Sequence, residues 1–176
     1  MTELRVVHTA DLTPPEWTAM RALLDATFNR FTDAAFDNAL GGMHTLLLDS
    51  GELVGHGSVV ARRLLHAGRT WRTGYIEAVA VRADQRRRGH GDAMMAELER
   101  IVRAGYDLGA LGASPAGAKL YAARGWQLWH GPTSALTPDG IQRTADKDGA
   151  IWVLPVSAPV DLAGELTADW RAGSLW

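Results

Sequence analysis

Residues 86–91 read RRRGHG, three arginines followed by two glycines one residue apart. Just before them, 75–81 (YIEAVAV) places branched side chains at Val79 and Val81 with no breaker between, the pattern of a buried strand. Just after them, 92–102 (DAMMAELERIV) reads as an amphipathic helix. A strand, a cationic glycine turn and a helix in that order can hold a phosphate. The first amides of a helix have no intrahelical acceptor, and the helix dipole favours negative charge there. Gly89 and Gly91 let the backbone close around an anion, with His90 between them, and Arg86, Arg87 and Arg88 add charge at the mouth. Glu77 is the only carboxylate of the strand. It stands two residues before Val79, and strict alternation places the two on one face.

Two familiar phosphate loops do not fit. The Walker pattern requires Lys-Ser or Lys-Thr after its glycines, and the dinucleotide pattern requires a third glycine; neither is present. The stretch does meet Arg/Gln-x-x-Gly-x-Gly/Ala, and so resembles the acyl-CoA pyrophosphate loop of the GCN5-related N-acetyltransferases. The plain alternative is a solvated basic turn that caps a helix.

The flanking chain supplies elements to carry this stretch. Residues 4–8 read as a strand. Thr13, Pro14 and Glu16 form a helix entry, with Met20, Leu23, Leu24 and Phe28 along one side. A short helix is expected over 32–40, stopped by Gly41 and Gly42. Strands follow over 43–49, 52–66 and 70–81, joined by turns at Ser50-Gly51 and Ala67-Gly68, so three antiparallel strands precede the loop. Beyond it come a strand over 107–112, a helix opened by Ser114 and Pro115, and strands over 126–129 and 150–156. Residues 133–149 read as irregular and turn-rich, and 161–176 as a short helix or ordered loop. The order is that of an α/β protein with a mixed, mostly antiparallel sheet and helices on both faces.

The 176 residues fit one domain, 1–176, and 47% hydrophobic with 22% charged residues is the balance of an ordinary globule. A net charge of −2 argues against a nucleic-acid partner, since one arginine triplet without interleaved aromatics is a poor footprint. Cysteine is absent, which excludes thiolate chemistry, and the six histidines lack metal spacing, so no metal is expected. No apolar run approaches the ~20 residues of a membrane span, and no leader is visible, so a cytoplasmic location is the default.

Five segments, GGMH at 41–44, LGAL at 108–111, LYAARGW at 120–126, WHGP at 129–132 and DWRAG at 169–173 before a final tryptophan, are together similar to the aminoglycoside 2'-N-acetyltransferases. The resemblance implies the GCN5-related N-acetyltransferase fold, with the sheet splayed around its central strand. It also implies a direct, sequential acetyl transfer from acetyl-CoA to a 2'-amine, for antibiotic resistance, in a homodimer. On that resemblance Val79 and Val81 hold the pantetheine and thioester oxygen, and residues 86–91 hold the pyrophosphate. Glu77 resembles the remote general base and Tyr121 the general acid. Arg30, Glu77, Ala78, Gly112, Asp146, Lys147 and Trp176 match substrate-facing positions. Members of this branch carry acids where this chain has Arg30, Ala35, Lys147 and Ser174. Burying an ammonium against such inverted charge costs on the order of several kcal/mol, so the expected substrate is kasugamycin-like, with a carboxylate of its own. The alternatives are a broad deoxystreptamine enzyme and, in another class, a non-catalytic acetyl-CoA sensor, which would not need Glu77 or Tyr121.

Overall fold

Helix α1 (Pro14–Thr27) starts where Thr13, Pro14 and Glu16 predict it. In the computed structural model, which describes residues 1–176, the Thr13 N–H and hydroxyl both donate to Glu16 Oε2 at 2.8 Å. The chain divides into two units, Met1–Val60 with Ile76–Arg100 and Ala61–Tyr75 with Ile101–Trp176. The family resemblance bears on both.

In the first unit, β1 (Thr2–His8) pairs antiparallel with β2 (Met43–Asp49), which pairs antiparallel with the start of β3 (Glu52–His66). Helix α1 turns Met20, Leu23 and Leu24 inward onto Leu12, Leu46 and Ala80 of β4 (Arg69–Val81). The short helix α2 (Asp33–Asn38), capped by the Thr32 hydroxyl, adds Phe36 beside Trp17 and Phe31. Helix α3 (His90–Gly105) buries Met94, Met95 and Leu98 at helical spacing. Two glycines of β3 let it come close: a Cβ at Gly55 would sit 2.9 Å from Met94 Sδ, and one at Gly57 2.9 Å from Leu98 Cδ1.

In the second unit the strand order is β6 (Gln127–Leu128), β9 (Ile151–Pro155), β5 (Leu108–Gly112), β4, β3, β10 (Leu166–Ala168), β7 (Thr133–Thr137) and β8 (Gly140–Arg143). Here β5 (Leu108–Gly112) runs parallel to β4 over Thr73–Tyr75, β9 (Ile151–Pro155) antiparallel to β5, and β6 (Gln127–Leu128) antiparallel to β9. The β4–β5 ladder ends at the Tyr75–Ala110 pair, well before β4 itself ends at Val81. Helix α4 (Pro115–Ala123) is capped by Ser114, as its sequence predicts.

Two segments differ from the sequence reading. Residues 133–149 are not irregular: β7 (Thr133–Thr137) and β8 (Gly140–Arg143) form an antiparallel hairpin around Pro138 and Asp139. The tail is the ordered loop of the two alternatives, but it contains a strand: β10 (Leu166–Ala168) lies between β3 and β7, and all three of its residues are buried. All three strands are too short for a periodic signal, and the partners of β10, unlike those of the β7–β8 hairpin, are distant in sequence. The tail is anchored by Arg62, whose buried guanidinium donates to Asp169 Oδ1 at 2.7 Å and to the Asp169 and Leu175 carbonyls at 2.9 and 2.8 Å. No helix is long and apolar enough to cross a membrane.

Candidate active site

The turn after β4 is held from below. Arg82 donates its N–H to the Val54 carbonyl at 2.8 Å, and its guanidinium reaches Asp84 at 2.7 Å and Glu52 at 3.2 Å. A single 3-10 turn over Ala83–Gln85 follows, with Gln85 buried. Arg87 then has φ 59° and Gly89 φ 82°, two left-handed residues separated by one. The first intrahelical bond of α3 runs from Ala93 N–H to the Gly89 carbonyl, at 3.0 Å. The amides of His90, Gly91 and Asp92 therefore precede the helix's own ladder, at its positive end. Left-handed residues alternating with others make an anion-binding concavity, so the residues present suit a diphosphate. Gly89 is required for its φ alone, because a Cβ there would have nothing within 4 Å. The Arg86 Nε donates to the Val81 carbonyl at 3.0 Å, which closes the turn onto the strand.

The strand before the turn carries a feature that its sequence does not announce. Ala78 has φ 50°, and the alternation of β4 slips there. Gly74 faces Val102 of α3 and Tyr106 just past its end. Val79 and Val81 pack on Leu47, Val54 and Met94, on the same helix's side, while Ala78 and Ala80 pack with the α1 cluster. The left-handed residue lies between Glu77 and Val79, so strict alternation does not carry from one to the other. Glu77 is half-buried. Arg30, also left-handed at φ 59°, is exposed on the loop between α1 and α2, beside the stacked Phe28 and Phe31 rings.

In the second unit, Asp146, Lys147 and Trp176, far apart in sequence, line one cavity of about 270 Å³ with Thr144, Gly173, Ser174 and Leu175. The Trp176 indole N–H donates to Thr144 Oγ1 at 2.9 Å, and the Ser174 hydroxyl donates to the Trp176 carbonyl oxygen. Gly112 belongs to the same neighbourhood: a Cβ there would be 3.5 Å from Tyr75 Oη and 4.0 Å from the Trp176 carbonyl carbon. Lys147 Nζ lies 3.5 Å from Asp146 Oδ2, so the inverted charge at 147 has a counter-charge next to it. Asp148 turns away: Arg143 and Thr133 hold it, and the Arg143 hydrogen bonds keep its carboxyl well below the usual range. Tyr75 was not singled out from the sequence. Its ring lies under two guanidiniums, Arg62 at 4.8 Å and Arg171 at 5.2 Å. The only trace of this in the sequence is that Arg171 falls within the DWRAG segment. Tyr121 does not line the cavity. It is buried on α4 edge-on to Trp126, and burial pushes its hydroxyl up to about 12.

A cradle of left-handed residues and helix amides after an irregular strand suits the diphosphate of a group carrier. A family model described as an acetyltransferase (GNAT) domain matches residues 9–129, and the chain belongs to that family. It is an acyltransferase. The chain is 44% identical over 177 residues to an aminoglycoside 2'-N-acetyltransferase of Mycolicibacterium fortuitum, a match covering 98% of this chain and 91% of that protein. Among solved structures it is similar to a GNAT family N-acetyltransferase (YhbS) of Escherichia coli in complex with CoA. The TM-score is 0.65 at 19% identity, over 95% of this chain and 89% of that one. It is also similar to Eis1 of Mycobacterium abscessus, with TM-score 0.63 at 17% identity; that match covers 76% of this chain and only 33% of the other. At such identities these two likenesses speak for the fold alone.

Proposed function

We propose that the protein transfers an acetyl group from acetyl-CoA to the 2'-amine of an aminoglycoside. One observation carries the substrate class. The family model ends at residue 129, whereas the match to the Mycolicibacterium fortuitum enzyme covers 98% of the chain and so extends into the segments that build the cavity at Asp146, Lys147 and Trp176.

In this reading Arg86, Arg87, Arg88, Gly89, His90 and Gly91 bind the diphosphate, and the Arg86 Nε also fixes the turn. Backbone groups of Val79 and Val81 hold the pantetheine arm and the thioester oxygen. The amine nitrogen forms a bond to the thioester carbon as the carbon–sulfur bond breaks. Glu77 takes the amine's proton through a water, and Tyr121 gives its hydroxyl proton to the departing sulfur. A tyrosine raised to about 12 stays protonated at working pH, which is the state an acid needs. Ala78, Gly112, Asp146, Lys147 and Trp176 face the sugar.

The substrate we favour is kasugamycin-like, with its carboxylate met by Arg30 or Lys147, directly or through water, Arg30 being exposed on its loop. A broader deoxystreptamine specificity is favoured by the Asp146–Lys147 pair, because that turn offers little net repulsion to an ammonium. Mass spectrometry of products from kasugamycin and tobramycin distinguishes the two. Acetylated kasugamycin is the expected result, strong turnover of tobramycin alone sinks the preference, and acetylation of neither sinks the substrate class.

A further inference from the structure

His44 of β2 and His56 of β3 are fully buried, and the site chemistry above uses neither. They are joined in a chain. The His56 Nδ1 lies 2.9 Å from the Ala78 carbonyl, His56 Nε2 is 2.9 Å from His44 Nδ1, and His44 Nε2 is 2.7 Å from Thr9 Oγ1. Thr9 Oγ1 in turn accepts the N–H groups of Gly41 and Gly42 at 2.9 and 3.1 Å. Donor logic fixes the direction of every link. A carbonyl only accepts, so His56 Nδ1 carries its proton. Neutral His56 then accepts at Nε2 and His44 must donate from Nδ1, which leaves His44 Nε2 to accept from the Thr9 hydroxyl at 2.7 Å in preference to the Gly42 carbonyl, 3.1 Å from the same hydroxyl. Burial pushes His56 down to about 4 and His44 to about 3, His44 also feeling His56, so both rings are neutral near pH 7. The chain ends on a carbonyl, which cannot pass a proton onward, so it is not a proton wire. Its end point is the one left-handed residue of β4, an alanine where a glycine would be unstrained.

We propose that His56, oriented by His44 and Thr9, is a positioning residue that holds Ala78 in its left-handed conformation and so sets Glu77 and Val79 for the reaction. The catalytic consequence rests on the acetyltransfer reading above; the conformational one does not. The first measurement uses the unsubstituted chain: nitrogen-15 NMR of the imidazoles near pH 7 is expected to find both histidines protonated on Nδ1 and bare on Nε2. Protonation of His56 on Nε2 overturns the proposal. The second uses His56→Phe, which fills the space but cannot donate. The Glu77, Ala78 and Val79 amide signals are expected to shift, and to return toward their original positions when Ala78→Gly is added. Unmoved signals in His56→Phe, or no return in the double variant, overturn it. In turnover, His56→Phe is expected to lose up to about 10²-fold in kcat with KM for acetyl-CoA little changed, and the double variant to recover most of it. A chain that acetylates no aminoglycoside would refute the function while both NMR results stand.

Discussion

Replacing Gly89 by alanine separates conformation from space. A Cβ at Gly89 meets nothing within 4 Å, so no clash arises, yet φ is 82°. An L-residue held left-handed costs about 1–2 kcal/mol. That free energy has two destinations. If the turn keeps its shape, folding bears the strain, and Tm falls by about 2–4 °C for each kcal/mol in a chain of this size. If the turn relaxes, α3 loses the carbonyl that starts its ladder, and the strain reappears on binding as a roughly five- to thirtyfold weaker affinity for coenzyme A. Calorimetric titration with coenzyme A beside a thermal melt reads both. Gly105 is the control, since it ends the same helix, also meets nothing within 4 Å, and lacks a positive φ. Gly105→Ala is expected to leave both readings unchanged or raise Tm slightly. A Gly89→Ala protein with unaltered Tm and unaltered coenzyme A affinity refutes the assignment of the cradle to backbone geometry.

Glu77→Gln is expected to lower kcat/KM by about 10²-fold, with the deficit deepest at low pH, where the neutral amine is scarce; a pH–rate profile parallel to the native one removes Glu77 from the base role. Tyr121→Phe is expected to lower kcat without altering the shape of that profile below about pH 10, because a hydroxyl raised to about 12 does not titrate there. The disappearance of a limb within that range would show that Tyr121 titrates far lower. Asp107 is held down to about 2 from 3.8, chiefly by Arg72 and secondarily by Ser157. A depressed carboxyl stabilises the fold above its unfolded value and loses that contribution as pH falls through the folded one. The Tm gap between native and Asp107→Asn protein should therefore be full above about pH 4 and close toward pH 2, which acid-range melts would check; a gap that widens on acidification contradicts the ion pair.

The parts of this fold legible in the sequence are those written in local chemistry. Thr13-Pro14 and Ser114-Pro115 start helices because an oxygen cap and a fixed φ act within one turn. The strands Met43–Asp49 and Glu52–His66 are long enough for their bounding glycine turns to mark them. The cradle was legible because left-handed backbone selects glycine at 89 and an amphipathic helix opens directly after it. What could not be read is what distant chain supplies. The strand Leu166–Ala168 exists because β3 and β7 are there to pair with it, and Tyr75 gains its two guanidiniums from β3 and from the tail.

Ala78 is the sharpest case, since alanine is compatible with any element and carries no sign of a positive φ. An alanine spared from replacement by glycine keeps the unfolded chain stiffer, but the native conformation must then be enforced from outside. The enforcing groups sit on β1's end, β2 and β3, and each looks unremarkable alone: a threonine after a strand, two histidines inside strands. Read in sequence, His44 and His56 fall on neighbouring strands joined by a tight turn, and such strands bring residues of similar distance from the turn together. His44 pairs with Ser58 and His56 with Leu46, so the two rings are diagonal neighbours on one hairpin. That much was open to inference from the Ser50-Gly51 turn. The acceptor across the sheet was not, because the slip that turns the Ala78 carbonyl toward them is itself the product of the contact.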